Sequence, residues 1–356
     1  MMWEKGSKMS TITIKDIAKM CGVGVSTVSR AINNHPDINE ATRGKIMKVI
    51  EEYNFTPNNT ARDLKCIQSK TIAILVKGMN NPMFNDMIRI IEKQMEHTQY
   101  SFYLQHMEEY QNEIEVAKQL IIEKKVKGII FLGGSYAVFK EQRHEVNVPF
   151  VLSTVRNIAY SGEEQGETVC SSISVDDEME SYRLVNYLCK EGHRNIAMLA
   201  ATRYDESIGN LRLEGYKRAL KDNNIAMNDK LILYMNETIP TYTMESGYLL
   251  MKKLLHSKEE FTAVFAVSDM VAIGASKAIF EAGKQIPQDY SVAGFDGLES
   301  TFYYNPSITT VRQPIKEMAK ESVDILLEMI KSKKNVPHKT FEAELMIRES
   351  TAFVLQ

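Results

Sequence analysis

The stretch TIKDIAKMCGVGVSTVSRAINNHPDINEATRGKIMKVIEEYNFTPNNTARDLK (Thr13–Lys65) carries three amphipathic patterns in succession. At 3.6 residues per turn, Val25–Ile32 places Val28, Ala31 and Ile32 on one side and Val25, Ser26, Ser29 and Arg30 on the other. The first side suits a core. The second offers one methyl-bearing contact, two short hydroxyls and a guanidinium fork, a set able to read base edges in a major groove. Before it, Ile14–Cys21 turns Ile17, Ala18 and Cys21 inward, and Thr13 with Asp16 forms an acidic variant of the capping box. Gly22-Val23-Gly24 separates the two patterns, so the outline is a helix-turn-helix. Asn39 then caps a third helix with Ile46, Val49, Ile50 and Tyr53 on one face, followed by a break at Phe55-Thr56-Pro57-Asn58 and the short segment Asn59–Lys65.

The order of these parts, helix-turn-helix, third helix, Y-x-F-x-P-N break and A-R-x-L-K, closely resembles the DNA-binding headpiece of the lactose-repressor (LacI/GalR) family of bacterial transcription regulators. The resemblance runs without a gap from Ile12 to Lys65. It implies a sequence-specific DNA-binding regulator. Val25, Ser26 and Arg30 would approach bases, Arg30 a guanine; Thr13, Ser29 and Asn33 would contact phosphates. Asn59–Lys65 resembles the family's hinge helix, with Leu64 as the wedge in the minor groove and Ala61 as the small residue beside it. One departure is Gly24, where family members commonly carry Ser.

Charge and composition fit such a chain. The 356 residues have a net charge of −3, yet residues 1–65 hold ten Lys and Arg against seven Asp and Glu, while the remainder holds 33 against 39. A mildly basic head on an acidic body matches a local nucleic-acid footprint. Four scattered cysteines, Cys21, Cys66, Cys170 and Cys189, lack C-x-x-C spacing, which argues against a zinc module or disulfide framework. The first residues lack an apolar signal region, and no apolar run reaches the ~18 residues of a membrane span. The expectation is a cytoplasmic protein with no membrane partner.

After Lys70, apolar runs of strand length alternate with amphipathic helices. TIAILV, SFYLQ, GIIFLG and PFVLST come first; after the acidic stretch 161–168, NIAMLA, LILYM, AVFAV and YSVAGF follow, each run separated from the next by a helix. Fully apolar strands in βα units mean parallel sheets covered on both faces. Two such runs predict two doubly wound subdomains with a ligand cleft at the carboxyl ends of the strands. SITTV (307–311), a helix over 315–331 and KTFEAELMI (339–347), read as a single strand, would complete both halves. The body therefore looks like a periplasmic-binding-protein fold. The expected division is an extension over 1–11, the headpiece over 12–58, the hinge over 59–68 and a body over 69–356. Within the body, one subdomain takes about 69–170 and 314–335, the other about 171–313 and 336–356.

The resemblance also implies effector-site residues: Met83 and Phe84 after the first strand, Thr154, Arg212 in GNLRLEGYKRAL, Asp269, Asp296 at the end of SVAGF, and Gln313 in TTVRQP. Thr154 stands where many members place an Asp. The implied partners are double-stranded DNA with a near-palindromic operator, a second copy of the chain, and a small-molecule effector, a sugar or sugar phosphate. A purine co-repressor or a phosphorylated partner protein is the alternative within this class; a transporter's solute-binding protein is the alternative outside it. No catalytic motif of the H-E-x-x-H, G-x-S-x-G or phosphate-loop type occurs, so no enzyme activity, metal or cofactor is expected.

Overall fold

The computed structural model describes residues 12–32, 37–53, 55, 70–78, 80–155, 169–205, 207–236 and 238–354. They belong to two units, 1–68 and 69–356. The expected extension 1–11, Asn33, and the hinge segment with Ala61 and Leu64 lie outside the described residues.

In the first unit, α1 (Ile14–Cys21), α2 (Val25–Ile32) and α3 (Glu40–Glu52) enclose a small core of Ile17, Ala18, Cys21, Val28, Ala31 and Ile46. Asp16 closes the start of α1 by accepting from the Thr13 amide (2.9 Å) and hydroxyl (2.6 Å). Gly22 ends it at φ +68, a left-handed cap that other residues adopt only with strain. Lys45 on α3 donates to the Cys21 carbonyl (3.1 Å), placing a cation at the negative end of α1. Asn39 caps α3 by accepting from the Ala41 amide.

The second unit holds two six-stranded sheets. The first lobe has the order β11-β5-β4-β3-β1-β2, all parallel, formed by β1 (Thr71–Lys77), β2 (Ser101–Met107), β3 (Gly128–Leu132), β4 (Phe150–Ser153), β5 (Cys170–Val175) and β11 (Lys339–Phe341). The second has the order β12-β10-β9-β8-β6-β7: β6 (Ile196–Ala200), β7 (Ile232–Tyr234), β8 (Ala263–Ala266), β9 (Ser291–Asp296), β10 (Thr309–Arg312) and β12 (Glu344–Met346), of which β12 alone runs antiparallel to its neighbour. Alternation along β1 explains the apolar runs. Ile72, Ile74 and Val76 pack toward α4 (Pro82–Met95) and α11 (Ile315–Ser332), while Ala73 and Leu75 pack toward α5 (Glu113–Lys124) and α6 (Tyr136–Gln142). The second lobe repeats the scheme with α7 (Asp177–Lys190) and α8 (Ile208–Asp222) on one face, α9 (Met244–Leu255) and α10 (Asp269–Glu281) on the other.

Two strand assignments differ from the expectation. Residues 339–347 are not one strand: β11 pairs with β5 in the first sheet and β12 with β10 in the second, because the chain changes lobe between them. Cys170–Val175, absent from the expected strands, is β5 of the first sheet. The first lobe therefore takes residues to 175 and again to 341, rather than to 170 and 335. The chain changes lobe after β5, after β10 and after β11, so Gln313 sits on the second of these connections.

Candidate functional site

On α2, Val25 is 41 % exposed and Ser26 and Arg30 are exposed, whereas Val28 and Ala31 are buried against α1 and α3. Ser29 is half-buried on the same helix, and Thr13 is exposed at the start of α1. The unit thus holds one short helix from behind and turns a methyl, a hydroxyl and a guanidinium outward.

In the second unit the loops that follow parallel strands gather at one edge of each sheet, and these two edges meet. Asn81, the N-cap of α4, accepts from the Met83 amide through Oδ1 and donates through Nδ2 to Asp296 Oδ2 of the other lobe (2.8 Å, buried). At the rim, the Thr241 amide (3.3 Å) and hydroxyl (2.8 Å) both donate to Glu109 of the first lobe.

Arg212 is the centre of the buried network. It is 1 % exposed, and its guanidinium lies 3.6 Å from the centroid of the Phe295 ring. Nε donates to Asp177 Oδ1 (2.9 Å) and Nη1 to the Val267 carbonyl (2.6 Å). Nη2 stands 3.3 Å from Asp296 Oδ1 without the alignment of a hydrogen bond, so it keeps a donor to give. Asp296 also accepts from Gln313 Nε2 (3.0 Å). At φ +114 its backbone occupies a region costly for an L-residue, a strain of ~1–3 kcal/mol that the surroundings must hold.

Of the expected residues, the structure joins Arg212, Asp296 and Gln313 in one network. Asp269 is fully buried nearby and accepts from the Leu298 amide (2.7 Å) and the Thr310 hydroxyl (2.6 Å), fixing the turn after β9. Thr154 is buried at φ +65 with an unpaired hydroxyl. Met83 and Phe84, expected to stack beneath a ligand, are 1 % and 6 % exposed and belong to the core of the first lobe. Pro82 starts α4 directly behind the Asn81 cap, and the two residues that follow turn inward. Asp177 was missed because β5 was missed: like Asp269 and Asp296, it is a carboxylate at or just beyond the end of a strand. Among the described residues no group of side chains could hold a metal ion, and no helix is long and apolar enough to cross a membrane. A recess of about 350 Å³ lies elsewhere, along α7 and β12, and contains none of these residues.

Two carboxylates, Asp177 and Asp296, therefore share one guanidinium, and Asp269 feels the charge of Asp296. Burial pushes Asp269 up to about 8, helped by the charge of Asp296. Burial also raises Asp177 to about 6 against the pull of Arg212, and raises Asp296 against Arg212, Asn81 and Gln313. An acid whose folded pKa lies above its unfolded value lends stability at low pH and loses it as pH rises through the folded value. The second lobe is expected to lose stability between about pH 4 and pH 8, through the unfolded and folded values of Asp269. Asp269→Asn should flatten that slope, as urea midpoints at pH 5 and pH 9 would measure.

Comparison with known proteins completes the picture. Residues 13–58 match the bacterial regulatory proteins of the lacI family, and residues 185–351 match the periplasmic binding protein-like domain. The HTH-type transcriptional regulator MalR of Clostridium butyricum is 39 % identical over 341 residues, covering 95 % of this chain and 99 % of that protein. The ribose operon repressor of Haemophilus influenzae is 30 % identical over 95 % of this chain and 98 % of its own. Among solved structures, the complex of the transcriptional regulator CelR with cellobiose superposes with a TM-score of 0.67 at 26 % identity, over 95 % of this chain and 99 % of that one.

Proposed function

We propose, from the premise that the chain belongs to the lacI family of bacterial regulatory proteins, that this DNA-binding repressor is dimeric, governs a carbohydrate-utilisation operon and takes an uncharged sugar in the cleft of its body. The DNA-facing residues are Val25, Ser26 and Arg30 on α2, with Thr13, Ser29 and Asn33 at phosphates and Ala61 and Leu64 at the minor groove. Two-fold symmetry of the dimer asks for a near-palindromic operator.

One observation carries the ligand reading. Six buried side-chain polar atoms among the described residues lack a hydrogen-bond partner: Glu113 Oε2 and Thr154 Oγ1 in the first lobe, and Glu180 Oε2, Ser181 Oγ, Arg212 Nη2 and Ser268 Oγ in the second. Buried polar groups are nearly always paired, so unpaired donors and acceptors on both lobes ask for a molecule bearing both. A polyol fits. Asp177 and Asp296 already engage the guanidinium of Arg212, which leaves this buried network little positive charge to offer a phosphate. Two of the similar proteins support the sugar reading, one named for the ribose operon and one bound to cellobiose.

A thermal-shift panel tests this. A free sugar at a hundred times its Kd should stabilise the body by about 2.7 kcal/mol, while sugar phosphates and purines should leave the melting curve in place. Stabilisation by a phosphate ester or a purine alone would overturn the reading.

A further inference from the structure

The first lobe contributes a carboxylate to which the family resemblance assigns no role and which lies outside the Arg212 network. Glu113 begins α5, just after β2, and is 1 % exposed. Two donors converge on its Oε1: Lys77 Nζ at the end of β1 (3.0 Å) and the Ser135 amide after β3 (2.8 Å). Lys77 is held in place by a second bond to the Gln111 carbonyl (2.9 Å). Gly134, at φ +126, lets the loop come this close, since a Cβ there would stand 3.0 Å from Glu113 Oε1 and 2.8 Å from the Phe139 ring. Oε2 receives nothing, although it is equally buried.

A carboxylate serving only as a tether would spread its donors over both oxygens, because an ionised acid has lone pairs on each. Here one oxygen does all the tethering and the other is left free at the edge of the sheet from which Asn81 reaches the second lobe. Lys77 neutralises the charge without occupying that oxygen.

We infer that Glu113 is a specificity-determining residue of the ligand cleft, with Oε2 accepting a hydroxyl proton from the bound sugar and Lys77 and Ser135 holding it in position. The inference rests on the sugar reading above and adds the first lobe's acceptor to it. Such a residue prefers a ligand with a donor at that place and disfavours one that carries only an acceptor there.

Glu113→Gln isolates the claim, because the amide oxygen can keep the bonds from Lys77 and Ser135 while the free acceptor becomes an NH2. The full-length chain would be titrated calorimetrically with whichever of ribose, glucose, cellobiose or maltose raises its melting temperature most, and with that sugar's monodeoxy and deoxyfluoro analogues. E113Q is expected to bind the parent sugar about ten- to a hundredfold more weakly. For one analogue, the one lacking the contacting hydroxyl, wild type and E113Q should bind alike. Equal affinity of both proteins for the parent sugar, or the same ratio for every analogue, would overturn the assignment while leaving the sugar reading intact. If no free sugar shifts the wild-type melting curve, both fall together. A crystal structure of the wild-type complex gives a readout independent of the variant's folding: a sugar hydroxyl is expected about 2.7 Å from Glu113 Oε2, and a sugar seated without touching Glu113 would contradict the assignment.

Discussion

Arg212→Ala will destabilise the body by about 3–5 kcal/mol and abolish stabilisation by sugar, because removing one partner of a buried ion pair leaves the other charge uncompensated. Arg212 faces Asp177 at 2.9 Å and Asp296 at 3.3 Å, all three nearly inaccessible to solvent. Without the guanidinium, both acids must take up a proton or draw in water. The Phe295 ring loses its cation, and the Val267 carbonyl its donor. Arg212→Lys should recover little, since an ammonium cannot serve Asp177, Val267 and a ligand at once through a planar fork. Urea unfolding at pH 7 would measure the loss, and a change under 1 kcal/mol would show that the network is not what holds this edge of the lobe.

Arg30→Ala will act on the other unit and leave the body's stability unchanged. Arg30 is exposed on α2 while Val28 and Ala31 hold the helix to its core, so the substitution removes no packing. A bidentate contact to guanine gives ~1–3 kcal/mol of discrimination. Affinity for a selected operator should therefore fall five- to 150-fold, while affinity for random duplex falls little. Equal losses on both DNAs would mean that Arg30 touches phosphate rather than a base.

The sequence made the repeated βα pattern legible because strands covered on both faces leave continuous apolar runs, and TIAILV, GIIFLG and AVFAV fall on β1, β3 and β8. It hid β5 for a physical reason. Ser171 and Ser172 are buried hydroxyls that bond to the returning chain, Ser171 to the Pro337 carbonyl (3.2 Å) and Ser172 to His338 Nδ1 (2.6 Å). A strand whose buried hydroxyls bond to the returning chain reads as polar, and with it went Asp177. KTFEAELMI misled in the opposite way: its strand-like composition runs on while the chain changes lobe. Arg212, Asp296 and Gln313 were recoverable from the family pattern, but Asn81 and Glu113 were not, since an N-cap and a helix-start acid look alike wherever they occur. What singles them out is tertiary: a bond across the lobes for one, an unpaired buried oxygen for the other.

Ligand in the cleft is proposed to govern operator binding by the headpiece. Fluorescence anisotropy of a selected near-palindromic duplex, titrated with wild-type protein at fixed salt with and without the stabilising sugar, tests it most directly. Saturating sugar is expected to weaken operator binding at least fivefold, within the usual range of coupling between two sites, and to leave binding to random duplex unchanged. Superimposable operator isotherms at saturating sugar would contradict it.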